Sequence, residues 1–406
     1  MLKELTHLFR DLPQPESFSI DEAKQILVHL SLAGASVVRH YQEHDIARED
    51  DLSHPLRILQ VGAKGLLFRD YFNRLANNSG TGHPNRDSYA ALARWNVPTA
   101  EVSWNGKTLC RIPGAFNDGS VRTYTGDPGE RAFFEILKKC EAVELAVNKV
   151  LIEVIDNFSE VSSEEASDRI NMASHLLATV HRLNLDFASM PPESALHPDH
   201  FLDVFRQFAT HWETGDIPPS GAQDVEYLKR DLILGINFPD YFHHVQRMFP
   251  ALLAEERDSL TKLAQYPSFA SRIMEKLGIT GDLSVASEAK IHAVLSENRP
   301  LASCYFLLQT NARVASSHLM LTKKYLFKPH HEREKSGVPD GKLVSHSAGT
   351  TGMVERLLER LMKARKDHEL KYLGNRTDRK YLMKIAGIEN EARVSQAEAA
   401  EIVKFR

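Results

Sequence analysis

The stretch Asn311-Ala312-Arg313-Val314-Ala315-Ser316-Ser317-His318-Leu319-Met320-Leu321 carries one histidine among small and apolar residues. On a helix, Leu307, Asn311, Val314, His318, Leu321 and Tyr325 fall on one face, because steps of three and four stay in line. A single imidazole on an apolar face can give one axial nitrogen to a haem iron and leave the opposite position open for oxygen. The same spacing suits a core histidine bonded to a carbonyl. Spacing alone leaves both readings open.

Two further segments have chemical potential. Gly349-Thr350-Thr351-Gly352 precedes an amphipathic stretch; small residues let a ligand approach the backbone, and a helix N-terminus there would favour a carboxylate. The alternative is a plain capping loop with Thr350 or Thr351 as N-cap. Val102-Ser103-Trp104-Asn105 and Arg122-Thr123-Tyr124-Thr125-Gly126 offer aromatics that can flank a flat group and an arginine that can pair with a carboxylate; a packed turn with a solvated arginine is the other reading. Gly80-Thr81-Gly82 lacks a preceding strand and Gly337–Lys342 lacks P-loop spacing, which argues against nucleotide binding at either. His197 and His200 flank a turn without metal-ligand spacing, and neither H-E-x-x-H nor C-x-x-C-H occurs.

The elements that must position these residues are helical. Apolar periodicity predicts helices over 21–43 and 56–75, with 77–85 as a loop. Residues 94–125 lose the pattern, and V-P-T-A-E-V-S-W predicts a short extended segment. Asp127 as N-cap, Pro128 at N1 and Glu130 at N3 predict a helix running to about 155. Another starts near Ser163, and further ones are expected over 199–212, 223–235, 239–249, 251–265 and 268–277. A long helix over 300–327 carries His318, residues 328–348 read as a mobile loop, and 352–372 form an amphipathic helix. Ser395 and Glu398 have capping-box spacing. The pattern predicts one large all-α domain: an N-terminal helical region (1–90) packed on a helical core (91–372), with a C-terminal tail (373–406).

Composition narrows the function classes. A net charge of -4 over 406 residues gives no electrostatic reason to expect nucleic acid or an anionic membrane. No apolar run approaches the roughly 20 residues that span a bilayer, and no leader pattern is evident. Three scattered cysteines make neither a disulfide framework nor a zinc site. The expectation is a cytoplasmic protein, monomer or homodimer, whose partner is a small molecule or another protein.

In chain order, W-N at 104–105, R-T-Y-T-G at 122–126, R-x-x-x-x-H-L-x-L at 313–321 and the G-T-T-G loop resemble the helical haem-dependent tryptophan/indoleamine dioxygenase superfamily. Within it they resemble the family of the pyrrolnitrin-pathway enzyme that rearranges chlorotryptophan. The resemblance implies that His318 is the proximal iron ligand, that Arg313 and Arg122 help hold the cofactor, and that Gly349, Thr350, Thr351, Gly352 and Tyr124 bind substrate. Tyr325 lies one residue off a family tyrosine, and 328–348 is longer than the family's loop. The implied chemistry is O₂ activation at a b-type haem for oxidation or rearrangement of an indole such as tryptophan. A haem sensor or carrier, or a cofactor-free helical interaction protein, are the alternatives. Some superfamily members attach haem through a cysteine four residues past the ligand. That position is Thr322 here, and Cys304 lies about 20 Å before His318 along a continuous helix, so the expectation is a dissociable haem.

Overall fold

The computed structural model describes residues 2–44, 54–79, 86, 88–213 and 215–406. Helix accounts for 64% of the chain and strand for 5%, so the all-α expectation holds at the level of class. No helix among the described residues is long and apolar enough to cross a membrane.

The N-terminal part is built around α1 (Ile20–Glu43), opened by a capping box in which Ser19 accepts from the Glu22 amide and Glu22 accepts from the Ser19 amide. Its Gly34 lies against the Trp212 ring, and a Cβ there would come within 2.7 Å of that ring. Phe68 and Phe72 pack on the same indole at 6.0 and 5.5 Å. The helix expected over 56–75 is interrupted. Gln60–Val61 (β1) and Leu66–Leu67 (β2) form a hairpin whose Gly62 and Gly65 take positive φ, and α2 (Phe68–Asn78) begins only after it. Apolar residues at helical spacing masked two glycines that a left-handed turn requires. Most of the predicted 77–85 loop, including Gly80-Thr81-Gly82, lies outside the described residues.

The extended segment is β3 (Ala100–Trp104), paired with β4 (Lys107–Ile112) through Asn105 and Gly106, both at positive φ as a tight hairpin turn demands. Its other edge carries β5 (Val403–Phe405), at the C-terminus of the chain. Glu101 holds this pairing with Arg111 at 2.6 Å and Arg406 at 2.7 Å.

The centre is three long helices: α3 (Pro128–Asp156), α4 (Ser163–Ala188) and α6 (Arg299–Thr322), with the shorter α5 (Val225–Ile233) and α7 (Glu355–Lys366) against them. Asp127 caps α3 by accepting from the Gly129 amide. Glu130 does not complete a capping box. It accepts from the Tyr124 amide at 2.9 Å and the Thr125 hydroxyl at 2.8 Å, tying the incoming segment to the helix. The Ser395 capping box forms and opens α8 (Gln396–Ile402), which leads directly into β5. Residues 373–406 thus pack on α4, α6 and β3.

The loop expected over 328–348 is partly helical: Lys328–Lys335 is an α-helix with Pro329 in its first turn. The rest is a hydrogen-bonded strap. Gln207 accepts from the Leu343 and Val344 amides at 3.2 and 3.1 Å, and Arg206 donates to the carbonyls of Ser345 and Ala348. The amphipathic helix starts at Glu355, three residues later than its pattern predicts, and ends at Lys366.

Candidate functional site

Between α3, α4, α5, α6 and the strap lies a hollow of about 320 Å³, within the range of small-molecule sites. Three π-helical turns contribute to its wall: Ala90–Arg94 through Leu92 and Ala93, Phe201–Phe205 through its two end rings, and Lys323–Phe327 through Tyr325 and Leu326. A π-turn inserts one residue into a helix and re-aims the side chains beyond it, and such turns concentrate at functional sites. Phe133 and Phe134 meet Phe205 at 5.4 and 5.6 Å, and Phe187 meets Tyr325 at 5.6 Å. The result is an aromatic slot.

His318 enters this hollow from α6. Val314, Leu321 and Tyr325 of the expected face line it too, whereas Leu307 and Asn311 are buried about three and two turns before His318. The imidazole is exposed, and the hollow is the space it faces. Its ring nitrogens have no hydrogen-bond partner among the described residues, and its nearest aromatic neighbour among them is Tyr227 at 5.9 Å. Loss of hydration pulls its pKa down to about 4, the Arg365 and Arg230 guanidiniums push the same way, and Asp231 opposes them. His318 is therefore neutral at pH 7 with a free lone pair, the form a metal requires.

Behind His318 lies a buried polar network that its neighbourhood in sequence does not announce. Arg365 donates to Asp231 (3.1 Å from Nε) and to the Tyr227 hydroxyl (2.7 Å); Tyr241 donates to Asp231 (2.6 Å). Arg230 reaches Glu144 at 2.6 Å and Asp231 at 3.4 Å. Burial works against the Asp231 carboxylate, but the two guanidiniums hold its pKa below the usual range. Tyr227, Arg230 and Asp231 recur at helical spacing on α5, and that polar face on a buried helix is the one local sign of the network.

The strap supplies the slot's polar end. Gly349, Thr350 and Thr351 line the hollow, while Gly352 sits off the wall at φ +77, making the turn in which its amide donates to the Gly349 carbonyl at 2.8 Å. Neither threonine caps α7, whose N-cap is Val354. The helix N-terminus is therefore not at this loop. Arg206 is on the wall beside it, almost fully buried, with Nε unpartnered and no carboxylate among the described residues paired to it. Burial pulls its pKa down to about 10. An unpaired buried guanidinium is the natural complement of a ligand carboxylate. Nothing around Arg206 in the chain marks it as a site residue.

Tyr124 lines the hollow and stacks on Phe208 at 4.2 Å and 9°. Arg122 does not reach it. Its guanidinium binds Asp118 at 2.6 and 3.0 Å and lies 3.5 Å over the Phe116 ring. Arg313 is also elsewhere: it is about 140° round the helix from His318, donating to Thr310 at 2.9 Å and the Ala392 carbonyl at 3.0 Å in a separate groove with Trp104 and His175. Neither arginine lines the hollow that His318 enters, whereas Arg206 does.

Comparison with protein-family models finds no match to this chain, and comparison with curated proteins finds none either.

Proposed function

We propose that this chain binds a dissociable b-type haem through His318 and uses it to oxidise an indole or related aromatic substrate with O₂. The observation that carries the reading is the bare, neutral imidazole facing an aromatic slot. A core histidine would donate to a carbonyl, and His318 has no such partner among the described residues. No group of three or more His, Cys, Asp or Glu side chains able to hold a metal occurs among the described residues, so an ion at His318 would have to bring its other donors with it, as a porphyrin does.

The residues present fit that group. His318 would hold the iron; Arg206 would pair with a carboxylate, either a haem propionate or the acid end of an amino acid; the phenylalanines would cover the flat faces and exclude water. When bound, the haem supplies oxygen binding and electron transfer. The chain's own part is orientation, with Thr350 and Thr351 at the polar end and Tyr124, Phe133 and Phe205 at the ring. Cys140 is on the wall, but burial pushes its thiol well above the ordinary range. It carries little thiolate for addition to a vinyl group.

Mixing the purified protein with one equivalent of haemin and recording the Soret band tests the cofactor. Oxygen uptake on adding tryptophan or indole to the reduced complex then tests turnover. A Soret band without uptake leaves a sensor or carrier, and no band overturns the reading.

A further inference from the structure

The wall of the hollow between α3 and α5 holds more negative charge than its own cations meet. α3 presents Lys138, Glu141 and Glu144 as a buried row at three-residue steps. Lys138 is committed to backbone, donating to the carbonyls of Arg94, Val97 and Pro113. Arg94 is held between Glu141 and Glu256, both at 2.5 Å. Arg230 serves one oxygen of Glu144 and Asp231, and Lys229 serves Glu226 at 2.9 Å.

Two carboxylate groups on the cavity wall remain. Asp224, at the N-cap of α5, accepts only from the amides of Glu226 and Tyr227 at 3.0 and 3.2 Å, and no basic side chain among the described residues pairs with it. Glu144 is 1% exposed, and its Oε2 has no partner among the described residues. Both groups line the hollow, as do Tyr89 and Cys140. Burial, together with the like charges of Glu141, Glu144 and Glu226, holds the Asp224 carboxyl well above the usual range. Burial raises Glu144 to about 7 against the pull of Arg230. Such carboxyls hold a proton while the site is empty and release it to solvent when a cation arrives with its own hydrogen-bond donors.

We infer that Asp224 and Glu144 form an ammonium subsite in the His318 hollow, so that the preferred ligand is an aromatic primary amine. The ammonium offers three donors to a place with unmet acceptors, while the aromatic remainder lies in the phenylalanine slot. This inference rests on the reading that the hollow takes an indole, and it adds the charge that the indole carries.

Calorimetric titration of the purified full chain with tryptamine and with 3-propylindole, its uncharged counterpart, tests this. Tryptamine should bind at least about 10-fold tighter, the effect of one charge-assisted hydrogen bond. The preference should collapse in Asp224→Asn, which keeps the helix cap because asparagine caps as well as aspartate, and in Glu144→Gln. Equal binding of the two probes, or a preference that survives both substitutions, overturns the subsite and leaves the indole reading standing. Binding of neither probe overturns both.

Discussion

Tyr227 lies 5.9 Å from His318, ring centre to ring centre, with the planes inclined at 50°, and its hydroxyl is held by Arg365 at 2.7 Å. The aromatic ring that meets the candidate ligand is thus itself fixed by the buried ion pair of Arg365 with Asp231. The network sets the wall against which His318 stands.

Removing one partner of that network should be severe. Asp231→Asn leaves Arg365 and Arg230 buried without their shared counter-charge, and breaking such a pair destabilises by roughly 3–5 kcal/mol. Urea unfolding measures it. A loss within about 0.5 kcal/mol, the size of an ordinary surface substitution, would mean that the network is not structural.

The pH dependence of stability should carry the mark of His318. An unfolded histidine titrates near 6.5, whereas the folded one is pulled down to about 4. Between these values the unfolded chain holds the proton and the folded chain does not, so stability falls as pH drops from about 6.5 towards 4 and is unaffected above that window. The haem-free protein should therefore lose more stability between pH 7 and pH 5 than His318→Gln does. Equal losses in the two would show that the imidazole is hydrated like a surface group.

Arg206→Met should separate carboxylate recognition from ring recognition. We expect tryptophan affinity to fall about 10-fold or more, consistent with a lost hydrogen bond to a charged group, while unsubstituted indole binds as before. Spectral titration of both ligands reads the outcome, and a parallel loss for the two would assign Arg206 to the strap alone.

The haem should be extractable. Acid–acetone treatment is expected to move the pigment into the organic layer, because Cys140 is the one cysteine on the cavity wall and burial keeps it a thiol. Colour that stays with the parent chain but leaves Cys140→Ala would establish a covalent link.

The range of each interaction decided whether it was legible in the sequence. The α6 face was readable because a 3.6-residue period projects Val314, His318, Leu321 and Tyr325 to one side whatever they meet. Helix starts at Asp127 and Ser395 were readable because capping is local. The hairpin at 60–67 was not, since Leu59, Val61, Leu66 and Phe68 satisfy a helical period while Gly62 and Gly65 break it. β5 is a short strand at the far end of the chain that acquires its pairing from β3. Arg365 and Asp231 are 134 residues apart, and only tertiary packing brings them together. Arg313 shows the reverse error: it stands at a familiar distance from the histidine in sequence, but a five-residue step turns it to another face.

The role of His318 as iron ligand is tested most directly by the absorption spectrum of haem-loaded His318→Ala beside that of the parent. The substituted protein is expected to lose most of its bound haem, or to retain a ligand-vacant iron whose parent-like spectrum returns on adding imidazole to the solution. Haem content and ferric spectrum unchanged by the substitution, with no response to imidazole, would show that His318 is not the ligand.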